Sequence, residues 1–317
     1  AKAPDTYDPR PTTMINRLRS AKKIGLLFSG GSMRCIFQVG VIETLYSLGI
    51  RPAVCLGVSG GAWNAAAVAV GNWGRIRSYW RFFARMPAID LSNLLREHSP
   101  FIWSRIHQKA YDRYVGSEKI KSTDTLPLYV AMTRLRDRSS IVVDVKSAAD
   151  PFRLLLASNY LPPFYTHPLD VDGERYGDGG LSDNAPYEYL FNLGCDAVVL
   201  MVSKGESEGG IFRSTNDVDH VVRDERVVVI RPRHRMPLGF VERRWSKLAP
   251  IADVGALRAR EVLLGERHPQ TDLAAKGLAP SAYLSGPLMF VQRIRRQLFE
   301  DRLQSLGGLS VRSRDDG

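Results

Sequence analysis

The stretch that most constrains this chain is Leu56-Gly57-Val58-Ser59-Gly60-Gly61-Ala62-Trp63-Asn64. The apolar run Pro52-Ala53-Val54-Cys55-Leu56 before it reads as a buried strand, and the alanine-rich run Ala65-Ala66-Ala67-Val68-Ala69-Val70 after it suits a tightly packed helix. A serine at the centre of G-x-S-x-G on a sharp strand-to-helix turn is the pattern of a nucleophile elbow. Gly57 and Gly61, with Gly60 beside the serine, remove Cβ atoms where a tight turn passes a neighbouring strand. The start of the following helix places partial positive charge and free N–H groups beside the hydroxyl, which favours attack and stabilises an oxyanion. The competing interpretation is a glycine-rich turn with a helix-capping serine, and the flanking strand and helix favour the nucleophile.

Around this turn the chain reads as an α/β protein. Ile24-Gly25-Leu26-Leu27-Phe28 is a short apolar strand. The glycine loop Ser29-Gly30-Gly31-Ser32-Met33-Arg34 follows, then a helical pattern from Cys35 to Leu48 closed by Gly49. With the strand leading to Ser59 this makes a βαβ unit whose strands should be parallel and whose crossover should be right-handed. Leu128–Thr133 and Ile141–Val145 read as paired strands around Arg136-Asp137-Arg138-Ser139. Cys195–Val202 reads as a buried strand, Val227–Ile230 as another, and Ala249–Leu264 as a helix. The fold class predicted is a three-layer α/β/α domain, its mostly parallel central sheet sandwiched by helices. Residues 1–23 are predicted to form a basic N-terminal arm with a short helix over Met14–Ser20, residues 24–280 the α/β domain, and residues 281–317 a C-terminal helix and loose tail. The charged, glycine-containing run Lys204–Arg226 is a lid candidate.

Bulk properties exclude several classes. No apolar run approaches the ~20 residues that span a bilayer. The polar, proline-bearing opening lacks a secretory pattern. Cys35, Cys55 and Cys195 are odd in number and lie in apolar surroundings, so a reducing, cytoplasmic setting is expected, with peripheral membrane association allowed. No His–Cys cluster has metal-ligand spacing, so no metal is predicted. The net charge of +11 and pI near 9.7 attract polyanions. No nucleic-acid-binding motif accompanies the charge, which leaves an anionic membrane surface as the predicted partner. The helical stretch Trp73–Val115 carries Tyr79, Trp80, Phe83, Trp103 and Tyr111 among arginines. It either packs a core with arginines outside or forms a cap whose aromatics meet lipid.

A serine nucleophile needs a base and donors for the oxyanion. None of the six histidines follows a late strand with an acid suitably placed before it. Asp178 is the better candidate: flanked by Gly177, Gly179 and Gly180, it meets little side-chain bulk on approach to the serine turn. The loop Gly30-Gly31-Ser32 lies between the first strand and its helix, where backbone N–H groups can hold an anion. It lacks both the dinucleotide fingerprint and the Walker ending, so an oxyanion hole suits it better. Arg34 adds a fixed positive charge fit for a phosphate head group or for anchoring the loop.

These residues carry a family resemblance. A glycine-rich loop ending in a basic residue, then G-x-S-x-G, then D-G-[GA] far downstream, with Asn184-Ala185-Pro186 after it, resembles the patatin-like phospholipases over Ile24–Val202. The resemblance implies a lipid acyl hydrolase with a serine–aspartate dyad. Ser59 would form the acyl-enzyme, Asp178 would be the base without a histidine, and the N–H groups of Gly30, Gly31 and Ser32 would form the oxyanion hole. Gly57, Gly60 and Gly61 would be the elbow glycines, and Gly179 and Gly180 the motif glycines beside the aspartate. It also implies no cofactor and no calcium. The family loop is usually G-G-G-x-[KR]-G; here Ser32 replaces the third glycine and Cys35 the last, which predicts a narrowed or re-angled hole.

The predicted function is therefore a serine hydrolase for carboxylic esters of phospholipids or lysophospholipids. An acyltransferase or general esterase shares the acyl-enzyme and differs in acceptor. A catalytically weak protein that binds anionic membranes is the alternative from another class. The pattern Leu288, Val291, Ile294, Leu298 and Phe299, with arginines elsewhere, predicts a C-terminal helix that lies on a bilayer or docks on the core.

Overall fold

A computed structural model describes residues 11–171, 173–205, 224–239, 241–268 and 271. The predicted helix over Leu288–Leu306, the tail and most of the lid candidate lie outside the described residues. Everything described belongs to the compact unit Ala1–Leu278.

Eight strands form one sheet: β1 (Ile24–Phe28), β2 (Val54–Val58), β3 (Leu128–Arg134), β4 (Ser140–Asp144), β5 (Leu169–Val171), β6 (Glu174–Asp178), β7 (Ala197–Met201) and β8 (Val227–Ile230). Their order is β5-β6-β3-β2-β1-β7-β8, with β4 added to the other edge of β3. β3, β2, β1, β7 and β8 pair in parallel, while β4, β5 and β6 join antiparallel. The parallel centre is apolar throughout, as a strand covered on both faces must be: every residue of β1, β2 and β7 is buried. The antiparallel additions are short and lie nearer the surface: no residue of β4 or β5 is fully buried.

Alternate side chains of the central strands face opposite layers. Leu27, Leu56, Val58, Val198 and Leu200 pack with Leu190 of a helix over Tyr187–Asn192. The opposite layer holds α2 (Ile36–Ser47), α3 (Gly60–Ala69) and the long helix Trp245–Leu264. That long helix crosses α2 at backbone contact. A Cβ on Gly40 would sit 1.8 Å from the Ala252 carbonyl oxygen, and one on Gly255 would sit 2.0 Å from that of Phe37. The end of the basic arm is helix α1 (Pro11–Ser20), packed on the same long helix with Ile15 and Leu18 buried.

The aromatic stretch resolves into α4 (Ile76–Arg85), a single helical turn Leu94–Glu97, and a helix Trp103–Tyr114. Tyr79, Trp80, Phe83, Trp103 and Tyr111 are all buried, so the aromatics build core. The apolar side chains that reach the surface here are aliphatic: Ile89, Leu91, Leu94 and Leu95. Their segment is held firmly. Asp90 caps the Ser92 N–H at 3.0 Å, and the Asn93 amide donates to the carbonyls of Ser99 (2.9 Å) and Phe101 (3.1 Å). Among the described residues no helix is long and apolar enough to cross a membrane.

The glycine crossing supplies a direct check. Gly40→Ala forces two backbones apart, and overpacking of this kind costs about 1–3 kcal/mol. A lower urea midpoint at unchanged slope is expected; an unchanged midpoint would contradict the close approach.

Candidate active site

β3 brings the two halves of the site together. Its Ala131 is paired with Val58, the last residue of β2, and its next residue, Met132, is paired with Asp178, the last residue of β6. β2 runs parallel to β3 and β6 antiparallel, so their carboxyl ends meet head to head along one edge. Ser59 Oγ donates to Asp178 Oδ2 at 2.7 Å, though the residues are 119 positions apart in sequence. Both are buried. The other carboxylate oxygen accepts the Gly180 N–H at 2.8 Å, and Thr133 Oγ1 donates to the Asp178 carbonyl at 2.7 Å. Gly179 is required here, because a Cβ on it would lie 2.3 Å from the Ala131 carbonyl oxygen.

Ser59 itself is strained, with φ 51° and ψ −129°, a region that L-residues avoid. The strain is held in place by its surroundings. The Ser59 N–H donates to Ser158 Oγ at 3.1 Å, and that hydroxyl donates to the Ala131 carbonyl at 2.8 Å. Added Cβ atoms would lie 2.4 Å from Ala62 Cα at Gly57 and 2.4 Å from the Phe28 carbonyl oxygen at Gly61. The turn fits only without them. Ser59 then stands at the start of α3, where the helix dipole favours negative charge.

The glycine loop lies against this turn. The Gly30 N–H donates to Asn184 Oδ1 at 2.6 Å, and Asn184 Nδ2 donates back to the Gly30 carbonyl at 3.3 Å. Gly30 is thus tied down by a side chain from beyond Asp178. Ser32 has φ 53°, which explains why a glycine usually stands there; a non-glycine residue in this region costs roughly 1–2 kcal/mol. Cys35 adopts ordinary helical angles and turns its sulfur towards the Ser29 carbonyl and Ser203 Oγ, each at 3.5 Å. Burial pushes its thiol up to about 12, so it is a neutral packing group.

A cavity opens beside the pair, bounded by Ser59, Asp178, Met33, Trp63, Leu161 and Tyr165, with Ser32, Gly60 and His107 also reaching it. Its apolar walls suit part of an acyl chain. Arg34 is half-buried and does not line it. His107 is the histidine nearest in role to a base, yet both its nitrogens are occupied: Nδ1 by the Tyr79 hydroxyl and Nε2 by the Tyr165 hydroxyl, each at 2.7 Å. Its ring stacks on Trp63 at 4.2 Å, and burial, with the Arg243 charge second, holds its pKa well below the ordinary histidine value. It does not reach Ser59. Sequence reasoning missed Ser158, Asn184, His107 and Tyr165 as parts of the site. Of these only Asn184 and Tyr165 lay in stretches that stood out, the segment after the aspartate and a proline-stiffened loop.

Fold and site together define an α/β protein with a serine–carboxylate pair at the carboxyl edge of a mostly parallel sheet. The sequence profile described as patatin-like phospholipase matches residues 26–191, more than half of the chain, and the chain belongs to that family. Among characterised proteins it is similar to the lysophospholipase NTE1 of Phaeosphaeria nodorum, 26% identical over 196 residues, which covers 58% of this chain and 12% of that protein. The lysophospholipase NTE1 of Saccharomyces cerevisiae is 26% identical over 191 residues, covering 58% of this chain and 11% of that protein. The chain therefore spans only a small part of the length of these relatives. Among solved structures, VipD from Legionella pneumophila aligns with a TM-score of 0.49 at 13% identity, over 77% of this chain and 67% of that one. ExoU from Pseudomonas aeruginosa, in complex with SpcU, aligns with a TM-score of 0.40 at 14% identity, over 93% and 66%.

The Asn184 clamp is testable by itself. Asn184→Ala leaves the buried Gly30 N–H without an acceptor, which costs about 1–3 kcal/mol. Urea unfolding of this variant should show a loss in that range, and no loss would mean that the clamp does not hold the loop.

Proposed function

We propose that the chain is a serine lipid acyl hydrolase that cleaves carboxylic esters of phospholipids or lysophospholipids. The observation that carries this reading is the 2.7 Å hydrogen bond from Ser59 Oγ to Asp178 Oδ2 inside a cavity with apolar walls. Membership of the patatin-like family and the lysophospholipase relatives support the substrate class.

In this reading Ser59 Oγ attacks the ester carbonyl as Asp178 takes its proton. The C–O bond to the alcohol then breaks, and Asp178 returns the proton to the leaving oxygen. Water attacks the acyl-enzyme with Asp178 again as base, releasing the fatty acid and restoring the Ser59 hydroxyl. The oxyanion faces the positive end of α3 and the loop amides. Since Asn184 already accepts the Gly30 N–H, Gly30 serves better as the anchor of the loop, and Gly31 and Ser32 remain its candidate donors. Arg34, which does not line the cavity, fits loop anchoring better than head-group binding.

Access from a bilayer is supported by the surface. Leu91 and Leu95 are 71% and 90% exposed, with the exposed Arg85 and Arg96 close in sequence. This segment rests on the loop that lines the cavity: the Ser99 hydroxyl donates to the Pro163 carbonyl, and the rings of Phe101 and Phe164 lie 4.7 Å apart. A net charge of +11 adds attraction to anionic lipid.

Acyl release from a panel of phospholipids, lysophospholipids and short nitrophenyl esters tests the chemistry. Ser59→Ala and Asp178→Asn should each lower release by roughly 10³-fold or more while the circular dichroism spectrum stays unchanged. Full activity in Asp178→Asn would overturn the dyad. For the surface, the double variant Leu91→Asp, Leu95→Asp should lose sedimentation with anionic vesicles and activity on them, yet keep its rate on a soluble nitrophenyl ester. Unchanged vesicle binding would remove this segment from the interface.

A further inference from the structure

Tyr79, His107 and Tyr165 form a buried chain of hydrogen bonds that ends at the cavity. His107 is neutral, because burial and the Arg243 charge both oppose its protonation, so one ring nitrogen donates and the other accepts. Two arrangements are possible. If Nδ1 carries the proton, it donates to Tyr79, Tyr165 donates to Nε2, and the Tyr79 hydroxyl proton is left over. If Nε2 carries it, Tyr79 donates to Nδ1, Nε2 donates to Tyr165, and the Tyr165 hydroxyl proton is left over.

The location of the two hydroxyls decides between them. Tyr79 is 2% exposed, does not line the cavity, and packs edge-on against Trp80 and Tyr114. Its hydroxyl has no hydrogen-bond partner among the described residues other than His107 Nδ1. An unpaired proton there would be buried at the full desolvation cost. Tyr165 lines the cavity together with Ser59 and Asp178, where a ligand oxygen can accept its proton. The Nε2-protonated form is the one that leaves no donor stranded in the core.

We infer that Tyr165 is a substrate-contacting residue, its hydroxyl donating a hydrogen bond to an oxygen of the ester held in the cavity, with Tyr79 and His107 as positioning residues that keep that proton free. The inference rests on the hydrolase reading and adds to it a donor from outside the glycine loop. Fixing the proton through two buried side chains means that the donor is oriented before substrate arrives, which is what a hydrogen bond needs if it is to assist the reaction.

Removing the Tyr79 hydroxyl removes the preference. In Tyr79→Phe the Nε2-protonated ring strands the bare Nδ1 acceptor and the Nδ1-protonated ring strands its N–H, so the core no longer selects one tautomer. The Nδ1-protonated ring should gain population, and in that form Tyr165 spends its proton on His107.

The test combines nitrogen NMR of the His107 ring with ester kinetics. In the unmodified chain Nε2 should carry the proton, a measurement that requires no variant; a proton on Nδ1 overturns the inference. Tyr165→Phe should lower kcat/KM on a soluble nitrophenyl ester by roughly ten- to a hundredfold, somewhat below the ~10²–10³ of a full oxyanion donor. Tyr79→Phe should show an Nδ1-protonated fraction absent from the unmodified chain and a loss no larger than that of Tyr165→Phe, and the double variant should fall no further than Tyr165→Phe. Unchanged kcat/KM in Tyr165→Phe, or losses that simply add, overturn the inference while leaving the hydrolase reading intact. Absence of any Ser59-dependent release from the unmodified chain overturns both.

Discussion

The arrangement everything else depends on is the shared edge of β3. β2 pairs in parallel along its first half and ends at Val58; β6 takes over the rest of the same edge in antiparallel and ends at Asp178. Because the two strands run towards each other, their ends converge opposite neighbouring residues of β3. A hydroxyl and a carboxylate from distant parts of the chain are thereby placed in contact by backbone hydrogen bonds, which set position far more firmly than side-chain contacts alone. A purely parallel sheet would send both strand ends in the same direction and leave them a strand spacing apart.

That convergence requires a serine in a backbone region costly for any side chain, and the surroundings hold it there. Two glycines let β1 and α3 close on the turn, Ser158 satisfies the serine's N–H, and the first turn of α3 fixes the residues on its far side. The same economy of space governs the glycine loop. Ser32 occupies a left-handed position at some local cost, Asn184 fastens Gly30, and Cys35 fills the gap beside Ser29 and Ser203. Of the two departures from the usual loop, Ser32 adopts a backbone region that favours glycine, and Cys35 does not line the cavity.

Two buried polar networks lie in or behind the cavity wall, while the Trp63 indole N–H, also in that wall, has no hydrogen-bond partner among the described residues. Asn64 links Gln38, Cys35 and the Trp80 indole, and His107 links two tyrosines. In a low-dielectric interior such networks must be satisfied almost completely, so the proton left over from the tyrosine–histidine chain falls where a ligand can reach it. The aromatic helices thus do more than cover the sheet: they form the wall of the cavity and fix the protonation of its one histidine.

The sequence by itself determined the strand–serine–helix turn, the glycine loop and the parallel centre of the sheet. Each of these is a local pattern: glycines where backbones touch, unbroken apolar runs where both faces are covered, and alanines where a helix packs tightly. Asp178 was legible only by its chemistry and by its place beside glycines, for nothing local shows that Met132 is its neighbour. The β3–β4 pairing was legible as a hairpin, but β5 and β6 are short and carry charged residues, so their pairing was less visible, and β6, which delivers the aspartate, could not be told from a turn. Tertiary structure alone decided that Asn184 fastens Gly30, that Ser158 supports Ser59, and that His107 joins Tyr79 to Tyr165. These contacts link residues 28 to 154 positions apart, and a hydrogen bond across such distances leaves no periodicity in the chain to be read.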